Sequence, residues 1–209
     1  TRPSHWLGSL QAYALNGRQF FPRWQAHFPA AEQRNLVTFH SQTGQAVSWQ
    51  WEHLSDTQQA QLNHNPRLIP WVRGVNFADL HARNGHLLGA ILHSPPLPTH
   101  VTDGGYNRLP NIGASYPSYL RNTQTPYLAV GANNGVVHLF NAATGLEAFG
   151  FIPNSVLPNI AHHATHSGFT YSADGALSVG DAYQNGWRRL LMGTTGAGGR
   201  SVFAIQLTP

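Results

Sequence analysis

Cysteine and lysine are both absent from this 209-residue sequence. Without cysteine there is no disulfide, no thiolate metal site and no cysteine nucleophile. Without lysine, all twelve basic residues are arginine. The arginine fork stacks on rings and holds carbonyls in fixed geometry, so these residues suit internal architecture. Charge of either sign is scarce: 10% of residues are charged, against roughly a quarter in ordinary soluble domains. The net charge of +4 is modest, and Arg188-Arg189 is the one adjacent basic pair. No basic stripe is present, so nucleic acid is left out of the expected partners. No apolar run approaches the roughly 18 residues of a membrane-spanning helix. The opening Thr-Arg-Pro-Ser-His-Trp lacks the apolar run of a signal peptide.

What is plentiful points to sheet. Hydrophobic residues make up 41%, enough for a core, and 21 Gly with 14 Pro are spread along the chain as turn makers. Asn, Gln, Ser, Thr, Gly and His must cover the surface, a balance that suits an exported all-β protein. Ser9 to Leu15 alternates and ends at Asn16-Gly17, a hairpin signal. Leu36 to His40 and Ala46 to Trp51 flank the turn Ser41-Gln42-Thr43-Gly44. Leu87 to His93 reads as a strand ended by Ser94-Pro95-Pro96. Tyr127–Gly131, Val136–Phe140 and Leu146–Ile152 are three strands joined by very short turns. Asn134-Gly135 suits the positive φ angles of a type I′ hairpin. A similar set closes the chain, over 177–183, 187–192 and 202–207.

Helix is sparse in this pattern. Leu54-Ser55-Asp56 offers a cap for a helical insertion over 54–65, stopped by Pro66. A second short helix is expected from Asn154-Ser155 to His163, broken at Pro158. Residues 99–125, rich in Gly, Asn, Pro and Tyr, read as a long irregular surface loop of the kind that carries function.

The segment Gly131-Ala132-Asn133-Asn134-Gly135 through Asn141-Ala142-Ala143-Thr144-Gly145-Leu146-Glu147 to Phe149 resembles the repeat of quinoprotein-like propellers. In such repeats Thr144-Gly145 sets the turn and Phe149 packs between blades. Three blocks in order then resemble the C-terminal propeller of the PilY/PilC family of type IV pilus biogenesis factors and tip adhesins. The first is Arg73-Gly74 followed by Arg83-Asn84-Gly85-His86-Leu87-Leu88-Gly89-Ala90-Ile91-Leu92-His93-Ser94-Pro95-Pro96. The second is Val130 through Phe140 and on to Phe151-Ile152-Pro153. The third is Asp174-Gly175, Val179-Gly180-Asp181-Ala182-Tyr183, Trp187 and Gly193 through Arg200. Trp6-Leu7-Gly8-Ser9-Leu10 and Trp24-Gln25-Ala26 also fit that domain's start.

The resemblance implies an all-β fold: a partial quinoprotein-like β-propeller of antiparallel blades, with one or two short helices and a long loop. It implies one incomplete domain over 1–209, with blade-like units at about 6–51, 87–152 and 169–209, as the N-terminal part of that propeller. A ring usually needs four to eight blades, so the chain is expected to be part of a longer one. The signal peptide for export would lie on sequence not shown.

The chain departs from the family at Ala90, Asn134, Asn141 and Gln206, where acids are usual. The family's calcium loop lies later in the propeller, and no Asp-x-Asp-x-Asp/Asn run occurs here. Calcium is therefore expected only in a longer parent protein, and no cofactor in this segment. His162-His163-Ala164-Thr165-His166 is the one local metal-like cluster, since His162 and His166 would share a face of a helix. Lacking a third ligand, it reads as a polar, His-tolerant loop, and no metal site is assigned. Asp174-Gly175 reads as a turn, and Asp181 as a partner for backbone or arginine. No Gly-x-Ser-x-Gly elbow is present. Gly193 to Gly199 lacks the Gly-Lys-Ser/Thr of a P-loop. No catalytic or cofactor-binding residue is assigned.

The resemblance thus implies a non-catalytic binding and structural module, at the cell surface or outside it, acting in pilus biogenesis and adhesion. Its partners would be minor pilins or the pilus tip, and a host or abiotic surface receptor. The alternative is a fragment of a quinoprotein dehydrogenase propeller, because the repeat is shared; fold likeness alone does not imply the enzyme.

Overall fold

The computed structural model describes residues 7–83, 85–100, 103–122, 126–166 and 168–207. Trp6, Asn84, residues 101, 102 and 123–125 of the long loop, and 208–209 of the last unit lie outside the described residues.

Eleven strands and four short α-helices follow one another along the described chain. A hairpin comes first, β1 (Gln11–Asn16) and β2 (Gln19–Gln25). Its two-residue loop opens with Gly17 at φ +61°, where Asn16-Gly17 marks the turn. Then come β3 (Leu36–Phe39), β4 (Ala46–Ser48), α1 (Asp56–Gln61) and α2 (Leu68–Arg73). The short β5 (Leu97–Pro98) and α3 (Tyr116–Asn122) precede β6 (Tyr127–Gly131), β7 (Val137–Asn141) and β8 (Glu147–Ile152). Last are α4 (Leu157–Thr165), β9 (Leu177–Tyr183), β10 (Trp187–Thr194) and β11 (Val202–Gln206).

These strands form three sheets: β1-β2, β11-β10-β9, and a six-stranded sheet ordered β4-β3-β8-β7-β6-β5. Residues 127–152 are three consecutive antiparallel strands of one sheet, as the turn chemistry predicts. Among the described residues every pairing between strands is antiparallel except one: β3 lies parallel to β8, Leu36 beside Gly150 through Thr38 beside Ile152, and an isolated parallel bridge joins His27 to Leu146. The strands of 6–51 therefore divide, β1 and β2 standing as a hairpin and β3 and β4 extending the central sheet.

The central sheet is covered on both faces. Val37, Phe39, Leu139, Phe149 and Phe151 pack with Leu191, Phe203 and Ile205 of the β9–β11 sheet. On the other face Leu36, Val136 and Ile152 meet Trp49, Trp71, Leu68, Val156, Leu157 and Ile160, the helical side. Farther along that face Val130 and Phe140 meet Leu10, Leu88, Trp24 and Phe28. β7 is buried on both faces from Val137 to Phe140, and its one polar residue in that stretch, His138, is paired internally with Glu147.

Several local expectations change. Leu87 to His93 is not a strand: it keeps one isolated bridge, Gly89 with Leu7. Its carbonyls serve turns instead, Leu87 and Ala90 accepting from the Asn134 and Asn133 side chains. A Cβ on Gly89 would lie 2.4 Å from the Asn134 nitrogen, so the backbones nearly touch. The turn at 132–135 is not type I′: only Gly135, at φ +90°, is left-handed. The Gly135 N–H donates to Ala132 and the Ala132 N–H to Val136. Such a turn ends in one left-handed residue. The 54–65 insertion holds α1, with Ser55 as its expected cap; the Gln58 side chain, bonded back to the Ser55 N–H, completes a capping box. A further helix, α2, follows Pro66; its own Pro70 sits in the first turn, where no N–H partner is needed. In α4, Pro158 likewise starts the helix rather than breaking it.

A buried ionic node joins the central sheet to the segments beside it. The Arg34 side chain is fully buried and grips Glu147 through Nε at 2.6 Å and an Nη at 2.8 Å. Its other Nη donates to the Val72 carbonyl. His138 Nδ1 lies 2.7 Å from Oε1 of the same carboxylate, the oxygen that also accepts the Arg34 Nη bond. A bulge between Leu139 and Phe140 puts Glu147 opposite Phe140, and so on the His138 side of the sheet. Burial opposes the Glu147 charge, but Arg34 and His138 outweigh it and bring its pKa down to about 2. Burial lowers the His138 pKa, so its ring stays neutral, donating from Nδ1 and accepting at Nε2 from Asn134. Arg73 adds donors to the Arg34 and Trp49 carbonyls, and Arg83 lies over the Trp71 ring at 4.7 Å. Arginine is thus the internal strut that the lysine-free composition suggests.

Candidate functional site

The long segment before β6 holds more order than an irregular loop. Asp103 accepts from the Gly105 N–H, a 3₁₀ turn covers Tyr106–Arg108, and another, Gly113–Ser115, leads into α3. A Cβ on Gly113 would lie 2.6 Å from the carbonyls of Tyr106 and Asn107, so only glycine lets the two turns close on each other. Tyr116 and Tyr119, three apart on α3, share one face, and that face meets β9 and β10.

There the two tyrosines find Asp181. In the β9–β10 register Asp181 stands directly across from Arg189, a cross-strand pair of opposite charge. Arg189 grips it in fork geometry, Nε to Oδ1 at 2.9 Å and an Nη to Oδ2 at 3.0 Å. Tyr116 donates to Oδ2 at 2.8 Å and Tyr119 to Oδ1 at 2.9 Å. Each carboxylate oxygen therefore takes two bonds, and both charged side chains are almost fully buried. Burial, with the Asp181 charge adding to it, pushes the Tyr116 hydroxyl up to about 12, so it is a permanent donor. Asp181 is the arginine partner expected from sequence.

Above this node lies an aromatic platform. Tyr106 stacks on Trp187 with ring centroids 5.5 Å apart and planes 13° off parallel. Tyr116 leans on the same indole at 4.5 Å, and Tyr183, 44% exposed, meets it edge-on. The Trp187 Nε1 donates to Ser115 Oγ, tying the platform to the loop. A cleft of about 110 Å³ between His100, Tyr106 and Gly180 opens beside it. Asp181 and the Tyr116 and Tyr119 phenols are consumed in internal bonds, Tyr106 and Trp187 are half-buried, and Tyr183, His100 and Asp103 are exposed, so the arrangement presents ring surface rather than reactive groups. The pairing of Tyr116 and Tyr119 with Asp181 was legible only as a three-residue tyrosine spacing.

The other sequence candidates lie apart from it. Asp174 is fully buried and accepts from Asn133, from the His93 N–H and from the His93 ring at 2.6 Å. That ties the β6–β7 turn to the entry of β9. Thr144-Gly145 makes the turn into β8, with Gly145 at φ +78° against Trp24. Phe149 packs between the sheets against Tyr127. Ala90 offers its carbonyl to Asn133, Asn141 Oδ1 caps the next turn at Ala143 and Thr144, and Gln206 accepts from Arg188. His162 and His166 stand on α4 and its cap, and no cluster of three or more His, Asp or Glu forms among the described residues. Among those residues, no helix is long and apolar enough to cross a membrane.

No protein-family model matches the chain, and no solved structure matches it. Curated proteins do. The chain is 33% identical, across 97% of its length, to the type IV pilus biogenesis factor PilY1 homolog of Xylella fastidiosa, covering 18% of that protein. It is 29% identical, across 98% of its length, to type IV pilus biogenesis factor PilY1 of Pseudomonas aeruginosa, covering 20% of it. A version from another strain of that species is 30% identical across 84% of the chain. The chain spans about a fifth of the length of these relatives.

Proposed function

Since this chain belongs to the PilY1 family of type IV pilus biogenesis factors, we propose that it is a non-catalytic binding and structural segment of a pilus-associated surface protein. The alignment across nearly the whole chain carries this proposal. In it, the aromatic platform on 103–122 and β9–β10 is the contact surface, and the sheets behind it are the rigid frame. The partners are minor pilins or the pilus tip on one side and a host or abiotic surface on the other. The site of action is the cell exterior, reached by a signal peptide elsewhere in the parent chain.

One feature supports the non-catalytic half. Glu147, Asp174 and Asp181, the three buried acids, each hold internal partners in place of a substrate. This weighs against the quinoprotein dehydrogenase alternative. The face-to-face packing of the β6–β8 strands on the β9–β11 sheet supports a partial propeller, in which such sheets are neighbouring blades. Any calcium would be bound elsewhere in the parent chain.

The test is complementation of a strain lacking its own copy with the full-length protein carrying Tyr106→Ala and Trp187→Ala. At equal amounts of exported protein, surface attachment or pilus number should drop at least severalfold. Wild-type attachment and pilus counts would refute the platform as the contact surface.

A further inference from the structure

We propose that the cleft between α4, residues 169–171 and the 196–200 turn binds a uronate, a carboxylate-bearing sugar of a surface polysaccharide. The cleft measures about 610 Å³, within the range of ligand sites. It lies at the far end of β10 from Trp187, about 23 Å along the strand. It is therefore a second surface, apart from the aromatic platform, and does not rest on it.

Its floor is the turn Gly196-Ala197-Gly198-Gly199, whose only side chain is one methyl group. Gly196 is left-handed at φ +54°, and a Cβ on Gly198 would collide with the Ser172 carbonyl, so the turn is pressed flat against that segment. One wall is an edge-to-face ring pair, Phe169 and Tyr171, with centroids 4.8 Å apart. Tyr171 is 39% exposed and lies beside the His93 ring at 6.2 Å, a ring that Asp174 holds. Asn159 locks floor and wall together: its Nδ2 donates to the Tyr171 carbonyl at 2.8 Å and to the Gly198 carbonyl at 2.6 Å. Both partners can only accept, so the amide orientation is set and Oδ1 is left to accept from a ligand hydroxyl.

Charge selects the ligand. Arg200 is the one charged residue lining the cleft. It is exposed and pairs with no other described residue, whereas Arg34, Arg73 and Arg83 are held in the frame. Its guanidinium fork matches a planar carboxylate in two parallel bonds. One cation balances one negative charge, which favours a carboxylate over a phosphate, whose sites gather several arginines. A peptide C-terminus is captured by a nest of free backbone N–H groups. Here the Thr195, Gly198 and Gly199 N–H groups are spent on the Ser201, Thr195 and Gly196 carbonyls. The two rings offer apolar surface to the C–H face of a sugar, and the Tyr171 hydroxyl and Asn159 Oδ1 serve its hydroxyls.

The test is calorimetric titration of the full-length protein with trigalacturonate and with trimannuronate, each beside its neutral methyl ester. Wild type should bind at least one of the two acids, about tenfold or more tighter than its ester. Arg200→Gln should weaken that binding about tenfold or more, and Arg200→Lys should restore part of it. Tyr171→Ala should weaken it severalfold. Added salt should lower the wild-type affinity more than that of Arg200→Gln. Tyr106→Ala with Trp187→Ala should bind the acids as wild type does, which separates a failure of this site from a failure of the platform. Arg200 and Tyr171 are exposed, so circular dichroism should find their variants folded. No binding of either acid by wild type, equal binding of acid and ester, or undiminished binding by Arg200→Gln would overturn the site.

Discussion

Glu147→Ala is expected to destabilise the fold by about 3–5 kcal/mol, because it leaves the Arg34 guanidinium buried without its counter-charge. The carboxylate also anchors His138, and both partners have essentially no exposed side-chain surface. Losing it strands two groups at the junction of β3, β7, β8 and α2. Replacing the ion pair together, as Arg34→Met with Glu147→Leu, removes the buried charges and should recover much of the loss. Urea unfolding midpoints at unchanged slope decide the matter. A Glu147→Ala variant within about 1 kcal/mol of wild type would mean that the node is idle.

Acid should unfold the protein in two overlapping steps. His163 packs edge-on against Trp71 and beside His81, and burial, with Arg83 adding to it, lowers its pKa to about 4. A folded state that resists protonation loses stability as pH falls from the unfolded value near 6.5 toward 4. His138 acts in the same direction below 6.5, by burial. Glu147, held at about 2, takes over as pH falls from about 4.5 toward 2. His163 and Glu147 each account for about 2–3 kcal/mol. Urea midpoints should hold between pH 7.5 and about 6.5 and decline from there to pH 3, and His163→Phe should flatten the upper part of the decline. A midpoint flat between pH 6.5 and 4 would contradict the burial of these rings.

Much of this architecture is legible in the sequence where local chemistry decides it. The strands of 127–152 and 177–207 sit between Gly- and Asn-marked turns, and Ser55 stands as a cap before α1. What failed was non-local. The apolar run 87–93 has the composition of a strand, yet its carbonyls answer to the Asn133-Asn134 turn some forty residues on. The parallel contact of β3 with β8 joins residues more than a hundred apart and leaves no local trace. Both missed helices contain prolines, Pro70 and Pro117, in their first turns, where proline is harmless. The candidate site was half visible: Asp181 as an arginine partner and the 99–125 segment as a contact region, but not the α3 helix that brings two tyrosines onto the acid.

Because the chain has no cysteine, a single Tyr183→Cys places a reactive thiol at the edge of the platform without competing thiols in this segment. In the full-length protein on intact, piliated cells, a membrane-impermeant maleimide should label this variant beyond the wild-type background. Labelling should also cut surface attachment severalfold while leaving the protein in place. A thiol at 183 that cannot be reached from outside the cell, or one that is fully labelled with attachment unchanged, would contradict a surface-contact role for this segment.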